Sequence, residues 1–325
     1  MKRRTSLMMG TQALWSASVL PWALVGCSAP REPAQVALNA WVGYALLHLA
    51  TELDYLSAQE ARLQEFPSNT ASMMALVNGR VPAAALTLDE LLQVREGGVD
   101  ARAILVFDAS HGADVVMGHP SVTSLAQLRG RRIGVEDTAL GALMLARLLE
   151  SAGLKAVDVV KVPMTADQHV AAYERGEVNA VITFEPMASR LRDLGAKVLL
   201  DSTSLPGLIV DVLAVRADVL PILRDAWCHL LQAYFRAFDH WRGQPEVAAR
   251  LMAPHQQLTV EQVMQAFQGI AMSDLAQNHV WLAGDHPRLH ASVQLVGRLM
   301  HEARLLDRMP DLTSLCEPVF LPEVA

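Results

Sequence analysis

Asn78-Gly79-Arg80-Val81-Pro82-Ala83 leads into the apolar run 84–88 and then Asp89, and Arg175-Gly176-Glu177-Val178-Asn179-Ala180 leads into 181–184 and then Glu185. Each stretch reads as the end of a helix, a tight turn, a short buried strand, and an acidic residue at the strand's carboxyl end. Two lobes built on one unit would produce this echo, as would chance. Outward from these units, short apolar runs alternate with helical patterns, which predicts an α/β fold. Strands are expected at 36–40, 83–88, 103–107, 132–135, 159–162, 180–184 and 197–200. A helix is expected over 140–152, where Leu140, Met144, Leu145, Leu148 and Leu149 form one stripe. Beyond Pro221 the pattern turns almost wholly helical. In 222–241, Leu223, Trp227, Leu230, Leu231, Tyr234 and Phe238 recur at helical spacing between Arg224, Asp225, His229, Gln232, Arg236 and Asp239. That is a core-facing amphipathic helix, too polar to span a bilayer.

The 325 residues are 52% apolar, too many for a disordered chain and enough for one or two ordinary globular domains. A net charge of −7, with no basic stripe interleaved with aromatics, excludes a nucleic-acid binder. Cys27, Cys228 and Cys316 are too few for a disulfide scaffold, and the latter two are expected to stay free thiols.

Lys2, Arg3 and Arg4 precede a largely apolar stretch, 13–26, too short for a mature membrane span, so residues 1–26 read as an export signal. Leu24-Val25-Gly26-Cys27 resembles the bacterial lipobox, which implies cleavage before Cys27 and lipidation of its thiol; the alternative is a buried cysteine after an ordinary signal. Arg3-Arg4-Thr5-Ser6-Leu7 partly resembles a twin-arginine signal but lacks the usual aromatic residue. Residues 27–35, with Pro30 and Pro33, read as a tether. Cleavage leaves 24 basic and 34 acidic residues, a net charge of −10.

Open α/β sheets place ligands at the carboxyl ends of their strands. Those positions hold Trp41 and Tyr44; Thr87 and Asp89; Asp108, Ser110 and His111; Asp137 and Thr138; and Glu185. Thr87-Leu88-Asp89-Glu90 also matches a capping box, so Thr87 and Asp89 fit a helix start as well as a ligand role. Asp137-Thr138 likewise suits an N-cap, although a helix N-terminus facing a cleft also offers free N–H groups to an anion. Trp41 fits a core position or, beside the Gly43-Tyr44 turn, a ligand contact. Nucleophile elbows, H-E-x-x-H, P-loops and paired C-x-x-C motifs are absent, and the spacing of Gly130, Gly134 and Gly141 is too wide for a dinucleotide fingerprint. His286 and His290 are interrupted by Pro287 and lack partners at metal-ligand spacing, so no cofactor or metal is expected.

Trp41-Val42-Gly43-Tyr44 with Leu49-Ala50 resembles the W-x-G-Y…L-A opening of bacterial ABC-importer solute-binding proteins of the nitrate/sulfonate/taurine and thiamine-precursor branch. The segment from Ser124-Leu125 through Leu128-Arg129-Gly130 to Ile133-Gly134-Val135 resembles their S-L-x-D-L-K-G-K-x-I-G-V stretch. Thr138-Ala139-Leu140-Gly141, the Phe184-Glu185-Pro186 turn, and Pro206-Gly207 followed by Val210-Asp211-Val212-Leu213 extend the match. His111-Gly112-Ala113-Asp114 departs from the pattern, in which an asparagine commonly precedes that glycine, so no contact is carried over to residue 111.

The resemblance implies a type II periplasmic binding protein fold: two doubly wound sheets joined by a hinge that the chain crosses twice. Lobe 1 would comprise 36–114 plus 212–325, and lobe 2 would comprise 115–211. It further implies a monomeric, membrane-anchored periplasmic lipoprotein that passes a small polar ligand, zwitterionic, sulfonate-like or amine-bearing heteroaromatic, to an ABC permease. The ligand would contact Trp41, Tyr44, Thr87, Asp89, Asp108, Ser110, Thr138, Ala139, Glu185 and Asp211. Carboxylates near the cleft disfavour a simple anion, while Thr138 at a helix start favours one. A zwitterion or an amine-bearing heteroaromatic satisfies both, its positive group on Glu185 or Asp211 and any acid group on Thr138, with Trp41 adding cation–π attraction. The alternatives are a sensory lipoprotein, or an enzyme on the same fold with Asp108 or Glu185 as general base.

Overall fold

The computed structural model describes residues 33–323, so Cys27, the signal and most of the tether lie outside the described residues. The chain begins with β1 (Ala34–Asn39), a short turn of helix at Val42–Tyr44, α1 (Ala45–Glu52), β2 (Ala61–Phe66), α2 (Asn69–Val77), β3 (Ala83–Thr87), α3 (Leu88–Glu96) and β4 (Ala101–Ser110). It continues with β5 (Val115–Gly118), β6 (Arg132–Val135), α4 (Ala139–Ala152), β7 (Val160–Pro163), α5 (His169–Glu174), β8 (Ala180–Thr183), α6 (Met187–Asp193) and β9 (Lys197–Asp201). After β10 (Val210–Arg216) come α7 (Arg224–Gly243), α8 (Pro245–Gln256), α9 (Val260–Phe267), β11 (Ile270–Met272), α10 (Leu275–Leu282) and α11 (Arg288–Glu302).

The strands form two mixed sheets, β11-β4-β10-β3-β1-β2 and β7-β6-β8-β5-β9, one in each lobe of a periplasmic binding protein fold. Both follow one plan. Three parallel strands are joined by helices, and the third, β3 or β8, pairs antiparallel with a strand arriving from the other sheet's half of the chain, β10 or β5. The sequence echo falls on equivalent places: α2 turns into β3 through Gly79 (φ +67°), and α5 turns into β8 through Gly176 (φ +69°). Both turns need the left-handed backbone that glycine adopts without strain.

Four strands escape the sequence reading. β2 lies at an edge with half its residues partly exposed, so it shows no clean apolar run. In β10 an aspartate interrupts the apolar run, although the strand is central and buried along nearly its whole length. β5 and β11 are only four and three residues long. The long amphipathic helix starts at Arg224, leaving Ile222 exposed.

The larger core packs α1, α7 and α8 against one face of the first sheet, around the fully buried Trp227, Tyr234 and Phe107. Burying each such side chain contributes about 1.5–3 kcal/mol. The segments between β4 and β5 and between β9 and β10 carry the chain from one sheet to the other. They are tied together where Ser202 Oγ lies 2.7 Å from Ser110 Oγ and accepts the Gly112 N–H at 2.7 Å. No helix among the described residues is long and apolar enough to cross a membrane.

Candidate ligand-binding cleft

The Trp41-Val42-Gly43-Tyr44 turn leaves the carboxyl end of β1 and fixes two carboxylates. Trp41 Nε1 donates to Asp108 Oδ2 at 3.2 Å, and Tyr44 Oη donates to Asp211 Oδ1 at 2.5 Å. Gly43 makes this possible, because a Cβ there would lie 1.9 Å from Asp108 Oδ2 and 2.5 Å from Trp41 Nε1. Asp211 stands opposite Thr87 on one side and Asp108 on the other, so all three side chains leave the same face of the sheet.

Lobe 2 closes over this face. The Phe184 ring meets the Trp41 ring edge-on, with centroids 5.8 Å apart. Further out, Arg190 donates to the Gln256 carbonyl at 3.1 Å, and Gln262 Nε2 donates to Asp193 Oδ2 at 2.9 Å. At the start of α4, Thr138 Oγ1 accepts the Gly141 N–H at 3.0 Å, and Asp89 Oδ2 reaches across from lobe 1 to accept the Leu140 N–H at 2.9 Å. What remains is a narrow cavity walled by Trp41, Tyr44 and Phe184, by Leu140 and Ile209, and by Asn39, Asn69, Thr87, Asp114 and Asp211.

The polar wall is made of amide, hydroxyl and carboxyl groups. Asn39 Oδ1, Asn69 Oδ1 and Asp114 Oδ2 are buried without partners, as is Asp108 Oδ1 behind Trp41. No lysine, arginine or histidine lines the cavity. Burial pushes Asp108 up to about 8, with the Asp114 charge adding to it, and burial raises Asp114 to about 7. Glu136, at the end of β6, is raised to about 7, again chiefly by burial. Asp211 is held well above the ordinary carboxyl range by burial and then by the Asp108 charge. Carboxyl groups with so few compensating charges resist ionisation.

Of the residues expected from sequence, Trp41, Tyr44, Thr87 and Asp211 line the cavity, and Asp108 backs Trp41. Asp89 and Thr138 are engaged at the start of α4. Thr87 starts α3, its N–H bound by Glu90 Oε2 at 3.1 Å. Ala139 faces an apolar groove beside the cavity, and Ser110 belongs to the crossing segments. Glu185 is bound to Arg192 Nη1 at 2.6 Å and to the Ser189 N–H at 3.0 Å. His111 and Asp137 are exposed, and Asp137 pairs with Lys161. Sequence reading missed Asn69, which follows the unrecognised β2, and Asn39, the last residue of β1. It also passed over Asp114 and Glu136, both buried. No group of three His, Cys, Asp or Glu side chains suited to a metal occurs among the described residues.

A model of the NMT1-like family matches residues 28–254. The chain belongs to the NMT1-like family. No curated protein matches this NMT1-like chain. Its fold is shared with the ligand-binding component of an ABC-type import system from Staphylococcus aureus, solved with zinc bound, at TM-score 0.73 and 17% identity over 90% of this chain and 98% of that one. It is shared with the alkanesulfonate-binding protein SsuA from Xanthomonas axonopodis pv. citri, bound to MOPS, at TM-score 0.71 and 16% identity over 87% and 97% of the two chains. A cysteine-to-serine mutant of the desulfurization enzyme DSZB, in complex with biphenyl-2-sulfinic acid, matches at TM-score 0.66 and 21% identity over 89% and 97%. The fold therefore hosts both binding proteins and an enzyme, and does not by itself decide between them. In this NMT1-like protein Cys316 is pushed up to about 12 by burial, which makes it a poor nucleophile.

Proposed function

We propose that this NMT1-like protein is the solute-binding component of an ABC importer, which closes its two lobes on a small polar solute carrying a positive group. The observation behind this reading is a polar wall in which the Asp114 and Asp211 carboxyls stand beside Asn39, Asn69 and Thr87 with no cationic side chain in the lining. Buried carboxyls without a cationic partner are costly to ionise, so the complementary ligand brings a positive charge. Glu185 already has Arg192 as its counter-ion, so the ligand's charge falls to Asp211 and Asp114. The flanking Trp41, Tyr44 and Phe184 rings favour a planar or cationic group. Amine-bearing heteroaromatics meet these demands. A sulfonate or other acid group would have to displace Asp89 from the start of α4.

In this reading lobe 1 comprises 36–114 plus 212–325, and lobe 2 comprises 115–211. The protein would act in the periplasm as a monomer tethered through lipidated Cys27, handing its solute to a membrane permease. The test is calorimetry with matched heteroaromatic ligands, one bearing an aminomethyl group and one lacking it, with nitrate as the simple anion. Binding of the amine alone, at one site and without turnover, is the expected result. Preference for nitrate or the deaminated ligand would overturn the charge reading, and turnover would overturn the receptor reading.

A further inference from the structure

Beside the polar cavity, a groove of about 150 Å³ opens where α4 of lobe 2 faces α11 of lobe 1. Its walls are Ala142, Leu143 and Ala146 on one side and Val296, Leu299 and Met300 on the other, closed at the hinge by Leu208 and Ile209. Asp89 is the one polar residue lining it. Leu140 and Ile209 line both this groove and the polar cavity, so the two compartments share a wall one side chain thick. Because the groove's sides come from different lobes, it takes shape only when the lobes approach. Leu143 and Leu299 remain half-exposed there, which leaves apolar surface open in the cleft.

We infer that the groove receives an apolar substituent of the same solute whose positive head occupies the polar cavity, which makes the ligand class an amphiphilic amine with an alkyl or arylalkyl chain. The inference rests on the reading above for the head and on the shared Leu140–Ile209 wall for the tail. Half-buried Leu140 is the side chain that must turn aside for the chain to pass. A substituent bound between α4 and α11 covers apolar surface on both lobes at once, so its burial favours the closed state directly.

The experiment is calorimetry of the full chain with ethylamine, n-butylamine and n-hexylamine, repeated on Ala146→Trp and Leu299→Asp. Ala146 is exposed and Leu299 half-exposed at the rim, so neither substitution disturbs a core. Each added methylene is expected to tighten binding by about fourfold in the parent. The increment should vanish in both variants while ethylamine affinity stays unchanged. Equal binding of all three amines would overturn the groove assignment and leave the head-group reading standing. An increment that persists in both variants would place the chain elsewhere and overturn it as well. If no amine binds at any length, the charge reading fails and this inference fails with it.

Discussion

Asp89 Oδ2, at the start of a helix in lobe 1, accepts the backbone N–H of Leu140 in the first turn of a helix in lobe 2, at 2.9 Å. A helix N-terminus carries partial positive charge and unpaired donors, so a carboxylate is a suitable partner for it. Here the partner comes from the opposite lobe, and the contact latches the cleft shut. The helix start that sequence reading offers to an anionic ligand is therefore already taken by the protein's own carboxylate.

Replacing Asp89 tests the latch. Asp89→Ala should weaken closure by about 1–2 kcal/mol, the scale of a partly buried charge at a helix terminus. The freed N–H groups should then accept sulfate. Small-angle scattering is expected to show a more open average shape for the variant, and calorimetry a sulfate affinity the parent lacks. An unchanged scattering profile together with no sulfate binding would remove the latch.

The buried carboxyls set the pH response. Asp108 at about 8, and Asp114 and Glu136 at about 7, all lie above their unfolded values of 3.8 and 4.5, so the folded protein holds protons that the unfolded chain releases. Their stabilisation is present in full at acid pH and is lost as pH rises through 7 to 8. His169, lowered to about 4 by burial, acts in the opposite sense but only below its unfolded value of 6.5. Thermal unfolding without ligand should therefore show a melting temperature that falls steadily from pH 6.5 to pH 8. Ligand amines should bind more tightly over the same interval and release protons on binding, seen as buffer-dependent heats in calorimetry. A flat melting profile would contradict the assignment.

The turn after β1 should be intolerant of small changes. Trp41→Ala is expected to weaken ligand binding by about 1–3 kcal/mol through loss of the aromatic wall. Gly43→Ala, which adds one methyl group, must push either the Asp108 carboxyl or the Trp41 ring out of place. A cost of about 1–3 kcal/mol is expected from such overpacking, read as a lowered denaturation midpoint. Unchanged affinity in Trp41→Ala would return that residue to a purely core role.

Glu185 and the cysteines give a contrast between structural and chemical roles. Arg192→Gln should destabilise the protein by about 1–3 kcal/mol, because it strands a carboxylate that is only 2% exposed. Ligand charge preference should stay as in the parent. Cys27→Ser should leave an uncleaved or mis-sorted precursor in cell fractionation. Cys228 and Cys316, free in the structure, should both titrate as thiols once the unreduced protein is unfolded.

The alternation of strand and helix, the repeated turn unit and the Trp41-Gly43-Tyr44 turn were legible from sequence because each is local. Apolar periodicity, a left-handed glycine and a helix start are set by neighbours a few residues away. The strands that escaped were those whose burial comes from elsewhere: β10 becomes central only when the chain returns from lobe 2 to lie between β3 and β4. The same limit applies to the carboxylates. From sequence Asp89, Glu185 and Asp211 are equivalent candidates, each an acidic residue at or near the end of an apolar run. The tertiary structure gives the first a helix terminus 51 residues away, the second an arginine seven residues on, and the third a tyrosine hydroxyl and a place in the cavity wall. A carboxyl group's charge and role depend on the dielectric and partners around it, and those are fixed only in the folded chain.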